Sequence, residues 1–173
     1  MQILRQTIFI AIIALLSVNA NAQSDAALQK VFSDSYTQEY YKKYPEAIAA
    51  LAKVYNDDSY ELNLRLGWLN YLNKNYTQSQ SYYQKATTLK PYSIEAKLGL
   101  VKPMSILESW DKVLQQYEDI LKIDAQNYTA NYWAGNIYYN RKKYEACAKL
   151  LFQVSLLIKP ADISATAGLA KIK

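Results

Sequence analysis

The sequence predicts an all-α protein, an α-solenoid of antiparallel helix hairpins. Three observations lead there. Residues that cap helix N-termini, Ser59, Ser93, Asn127 and Asp162, recur at spacings of 34, 34 and 35; their side-chain oxygens can accept from the first free N–H groups of a helix. Apolar or small columns keep the same beat: Tyr76, Trp110 and Tyr144; Leu66, Leu100 and Ala134; Gly67, Val101 and Gly135; Ser79, Val113 and Cys147; Tyr83, Tyr117 and Leu151; Ala86, Ile120 and Val154. Finally, 4 Gly and 4 Pro in 173 residues leave little material for β-turns. A fixed period of this length means stacked supersecondary units, each burying its apolar face against the next.

Taken in order, residues 1–22 have the form of an export signal: Arg5, an apolar run from Thr7 to Val18, and Ala20-Asn21-Ala22 as cleavage site. The run is shorter than the ~20 residues a membrane-spanning helix needs. The mature chain is expected to begin at Gln23, in the periplasm or outside the cell, without a membrane span. No Cys stands near the cleavage site, so a lipoprotein is not expected. Residues 23–58 form an atypical first hairpin, because Tyr44 and Tyr76 are 32 rather than 34 residues apart. Pro45 suits the first turn of its second helix, where a missing N–H costs nothing.

Residues 59–92 are the best-formed copy, with helices expected over 60–73 and 77–89 and Pro91 ending the second. In the next copy, 93–126, Pro103 falls inside the first helix and predicts a kink or early end near Lys102. The copy at 127–161 has helices expected over 128–140 and 143–158. Its second helix is apolar on most sides and needs a cover. Residues 162–173 supply one, as the start of a fifth copy or a capping helix: Lys159 to Lys171 echoes Lys90 to Lys102. Cys147, in a small-residue column, is expected to be buried.

The second copy carries a family resemblance. Leu66-Gly67, Tyr71, Tyr76, Ser79, Tyr83, Ala86 and Pro91 resemble the tetratricopeptide repeat, with Asn63 where the family pattern has Trp. The third copy has Val101 in place of the Gly and Ala125 in place of the Pro. The resemblance covers about 26–173. It implies a right-handed superhelix whose first helices line a concave groove, and binding of proteins or peptides. Carried over by register, the groove sites are Trp68 and Tyr71, with Leu64 and Leu72; then Lys102, with Leu98, Ser105 and Ile106; then Tyr132, Asn136 and Tyr139, with Asn140. Exposed Trp and Tyr are favoured binding anchors because they bury much area with few rotors. Chaperone-binding members grip a terminal carboxylate with several Lys, Arg and Asn. Here only Lys102 and Asn136 suit, so that clamp is not expected.

Composition narrows the chemistry. A net charge of +5 is mild, and nucleic-acid binding is not expected. The absence of His and the single Cys exclude a His-dependent triad, a His-ligated metal and an intramolecular disulfide. Asp57-Asp58 and Glu118-Asp119 sit where solvated charge is the ordinary reading, and neither a phosphate-cradling loop nor a nucleophile elbow appears. The expectation is a non-catalytic scaffold with no cofactor and no metal, binding a peptide or protein. Two alternatives stand beside it. One is a fragment of a longer solenoid that self-associates through Ile163–Lys173. The other is a helical glycan binder using some of the 17 Tyr.

Overall fold

The computed structural model describes residues 26–142 and 145–171. The expected export segment, the expected start at Gln23, Tyr144 in its column and the last two residues of the C-terminal edge lie outside the described residues. Those described are helical throughout, apart from turns and short connections. They fall into two compact units, one ending at Tyr55 and one beginning at Asn56.

In the first unit, α1 covers 26–40 and α2 runs Tyr44–Ala52, with Pro45 in its first turn. Ser35, Ala47 and Leu51 are fully buried, while Tyr36, Tyr40 and Tyr41 are exposed. The rings of Tyr40 and Tyr41 meet edge to face at 5.2 Å.

The second unit consists of α3 Tyr60–Leu72, α4 Tyr76–Leu89, α5 Ile94–Ile106, α6 Trp110–Ile123, α7 Tyr128–Asn140, α8 Glu145–Ile158 and α9 Ile163–Ala170. All four predicted caps form. The N–H groups of Leu62, Ala96, Ala130 and Ala165 donate to the side chains of Ser59, Ser93, Asn127 and Asp162 at 2.9–3.2 Å. Each side chain satisfies a donor that the helix itself cannot pair.

The turns between paired helices share one geometry. Lys74, Glu108 and Lys142 take the left-handed conformation, with φ of 63°, 54° and 55°, as does Lys42 in the first unit at 58°. The residue after each of the first two donates back five positions, Asn75 to the Asn70 carbonyl (2.8 Å) and Ser109 to that of Met104 (2.9 Å). In the first unit Lys43 bonds the Gln38 carbonyl in the same way, at 2.8 Å. This is the Schellman ending, usually given to Gly.

These turns also locate the length differences between copies. Tyr60 to Lys74, Ile94 to Glu108 and Tyr128 to Lys142 each span 14 positions. The arc from the turn to the next first helix varies: 18 from Lys42 to Tyr60, 20 from Lys74 to Ile94 and from Glu108 to Tyr128, and 21 from Lys142 to Ile163. All the variation therefore lies in the second helices and their flanks.

That arithmetic corrects three columns. The buried positions on α4 include Ser79, Tyr83 and Ala86, and those on α6 include Val113, Tyr117 and Ile120. On α8 they are Ala148, Phe152 and Ser155, each one residue beyond the expected Cys147, Leu151 and Val154. The extra residue of this copy thus lies between Lys142 and Ala148, before most of α8 rather than after it. A one-residue step turns a helix by about 100°, which moves a whole column off the buried face. Cys147 is accordingly exposed, not buried.

Pro103 does not end α5, which continues to Ile106. The proline is itself buried, Leu107 donates to its carbonyl at 3.0 Å, and the Ser105 hydroxyl takes the Val101 carbonyl at 2.8 Å. One turn remains after Pro103, and it is held by burial of Met104 in the core as well as by these bonds.

Aromatic rings set the spacing between copies. Tyr83 on α4, 3% exposed, lies against both Gly67 of its own hairpin and Gly99 of the next. A Cβ on Gly99 would fall 2.2 Å from a ring carbon of Tyr83, and one on Gly67 2.9 Å from the ring. Phe152 fits Gly168 in the same way at 2.7 Å, so α9 provides part of the cover that α8 needs. The Ser79 hydroxyl closes the best-formed hairpin by donating to the Gly67 carbonyl at 2.7 Å. Around these contacts Leu66, Leu69, Leu100 and Ile120 are fully buried, each contributing about 1.5–3 kcal/mol relative to exposure.

Candidate functional site

The first helices carry two aromatic clusters. On α3, Trp68 and Tyr71 lie one turn apart, and their rings stack with centroids 5.8 Å apart and planes 23° apart. Tyr71 continues to Tyr76, the first residue of α4, at 5.8 Å. Lys102, on α5, sets its Nζ 5.7 Å from the Trp68 centroid and 6.0 Å from that of Tyr71. An ammonium within about 6 Å of a ring face is attracted by the ring quadrupole. Trp68 also packs against the core alongside Leu64 and Leu98. Both rings are half-buried and Lys102 is exposed.

The second cluster lies on α7, whose sequence has no charged residue. Tyr128 and Tyr132 stack at 6.1 Å with planes 8° apart. Tyr132 meets Trp133 edge-on at 5.2 Å and Phe152 at 6.0 Å. The Asn136 amide donates to the Tyr132 carbonyl at 3.0 Å, which turns it back onto its own helix. The Tyr139 hydroxyl points to the Lys171 carbonyl after α9, at 3.4 Å. Lys159 stands 5.3 Å over Tyr128, repeating Lys90 over Tyr60 at 3.9 Å.

Of the six sites expected from sequence, Trp68, Tyr71 and Lys102 come together across two helices. Tyr132 and Asn136 share one turn of α7, and Tyr139 reaches the C-terminal end. Sequence reasoning missed Tyr76 as a member of the first cluster and Trp133 altogether. Trp133 is 50% exposed. The signal for it was available. It stands 34 residues after Gly99 and 35 before Gly168, positions where a ring of the preceding second helix leaves no space for a side chain.

The acidic pairs are engaged locally. Asp57 pairs with Lys85, and the Tyr138 hydroxyl donates to Glu118. The Lys122 ammonium at 2.8 Å holds the Asp119 carboxyl below the usual carboxylate range, although partial burial opposes this. A shallow concavity of about 460 Å³ lies beside that pair, lined by Pro91, Tyr92, Lys97, Asp119, Lys122 and Ile123. Among the described residues no three Cys, Asp or Glu gather where a metal could bind. Among the same residues no helix is long and apolar enough to cross a membrane.

Where the family pattern has Trp, the structure has a backbone tie. The Asn63 amide donates to the carbonyls of Asp57 (2.9 Å) and Ser59 (2.8 Å). Asn131 repeats this two copies on, with Ala125 and Asn127, both at 3.0 Å. A buried amide at this position thus fixes the loop that leads into the helix.

No protein-family model matches the sequence, and no curated protein matches it. Solved structures do. A tetratricopeptide repeat protein from Parabacteroides merdae ATCC 43184 is similar with a TM-score of 0.78 and 18% identity over 84% of this chain, which spans 59% of that protein. A crystal structure of MamA gives 0.76 and 17%, covering 84% of this chain and 80% of the other. YrrB, described as a TPR protein with an unusual peptide-binding site, gives 0.68 and 20%, covering 82% and 72%. With the repeated capped hairpins and the ring-on-glycine packing already in place, these likenesses show that the chain has the tetratricopeptide-repeat fold.

Proposed function

We propose that this chain is a non-catalytic interaction module. It holds an extended peptide or a protein surface against its first helices, with Trp68, Tyr71, Lys102, Tyr132, Asn136 and Tyr139 as the contact set. The carrying observation is the stack of Trp68 on Tyr71 under Lys102, which presents flat apolar area and a cation together. The peptide-binding site described for YrrB, which shares this fold, supports the reading. The chain is exported, residues 1–22 are removed, and the mature protein works in the periplasm or outside the cell.

Affinity capture from a periplasmic extract tests this, using residues 23–173 beside a Trp68→Ala/Tyr139→Ala variant of matched helicity. A protein held by the wild type and lost by the variant is the expected result. Equal capture by both would move the site off the first helices.

A second reading has its own observation. Ile163 is 83% exposed and Leu157 81% exposed at the C-terminal end. Self-association through this edge predicts oligomers in sedimentation that grow with concentration and vanish in Ile163→Lys. A monomer at every concentration would refute it.

A further inference from the structure

We infer that the partner segment seated on Trp68, Tyr71 and Lys102 carries an internal Asp or Glu beside an aromatic side chain, an inference that rests on the proposed reading of this face as a peptide site. Charge is the first argument. In the second unit Lys85, Lys90, Lys122 and Arg141 pair with Asp57, Glu61, Asp119 and Asp111. Lys102, like several other exposed lysines, pairs with no carboxylate among the described residues, but it alone lies over the Trp68 and Tyr71 rings. The acids of α3 and α5, Glu61 and Glu95, lie in the first turns. Glu95 is two turns from Lys102, about 10 Å along the axis. Lys102 is therefore open to a counter-charge supplied by a partner. A carboxylate there gains a charge-assisted hydrogen bond, and it does so without taking Lys102 from an existing partner.

Ring geometry is the second argument. Trp68 and Tyr71 form one nearly parallel pair that Tyr76 extends at a tilt. A further ring can add to such a set at centroid distances of about 4.5–7 Å. A single cation over two rings matches one carboxylate next to one ring. The several Lys, Arg and Asn with which chaperone-binding relatives grip a terminal carboxylate are not gathered here, so the acid is placed within the partner's sequence.

Fluorescence anisotropy on the whole protein tests this. The probes are labelled octapeptides of Gly and Ser, acetylated and amidated at their ends, centred on Asp-Phe, Lys-Phe or Asp-Ala. The expected order puts Asp-Phe first, ~10-fold or more tighter than Lys-Phe, weakening as salt rises. Lys102→Met should remove the preference and Lys102→Glu should reverse it, both with unchanged helicity because the residue is exposed. Equal binding of Asp-Phe and Lys-Phe, or a preference that survives Lys102→Met, overturns the inference and leaves the peptide-site reading standing. If no peptide binds the wild type better than Tyr71→Ala, both fall. If an oligogalacturonate binds in a Tyr71-dependent way while the peptides do not, the occupant is an acidic glycan and the peptide inference is wrong.

Discussion

Gly99 is the residue on which the stacking of one hairpin against the next depends most sharply. A methyl there would fall 2.2 Å from a ring carbon of Tyr83, which is itself enclosed. Gly99→Ala should therefore destabilise the chain by about 1–3 kcal/mol, despite the better helix propensity of Ala. A lower urea midpoint at unchanged slope is the readout, and the loss should shrink in a Tyr83→Leu background. Tyr117, in the equivalent place on α6, gives a pH-dependent test. Burial pushes its phenol up to about 12, against about 10 in an unfolded chain. The stability tied to the neutral phenol is then complete below about pH 10 and is lost as pH rises through 12. Wild type should lose about 1 kcal/mol relative to Tyr117→Phe between pH 9 and 11. Urea titrations of both proteins at each pH would show it, and parallel curves would contradict it. The caps at Ser59, Ser93, Asn127 and Asp162 were readable from sequence because a cap is a contact within three residues. The buried amides of Asn63 and Asn131 were not, since their partners lie up to six residues away in irregular chain.

At the level of elements, the period carried the helices, and the turns decided its phase. The left-handed positions are Lys42, Lys74, Glu108 and Lys142, and no Gly marked them. An L-residue in that conformation costs roughly 1–2 kcal/mol. Glu108→Gly should consequently stabilise the chain by about 0.5–1 kcal/mol after the greater chain entropy of Gly is counted, seen as a higher melting temperature with unchanged helicity. The slip in the α8 column has the same origin. A copy of 35 residues can carry its extra residue before or after its second helix, and both choices put Pro160 one place late. Packing of Phe152 on Gly168 decides the matter. α5 shows the limit of local reasoning from the other side. Pro103 removes one helical bond, yet burial of the proline and of Met104 holds the last turn in place.

For the molecule as a whole, repeat arithmetic made the fold legible, because stacked copies must present the same apolar positions to one another. The candidate site was legible in part. Register placed Trp68, Tyr71 and Lys102 on neighbouring first helices, and the structure joins them in one contact set. Trp133 escaped because the Gly99–Trp133–Gly168 column was not read from the sequence; the rings of Tyr83 and Phe152 against the two glycines are what reveal it. On the proposed reading, the clue to a partner's chemistry is an exposed ammonium above two half-buried rings. The most direct test of the account is hydrogen exchange of the protein with and without its captured partner. The account predicts added protection confined to α3, α5 and α7, with α4 and α6 unchanged. Protection on α4 and α6, or on α8 and α9 alone, would contradict it and move the binding surface to the second helices or the C-terminal edge.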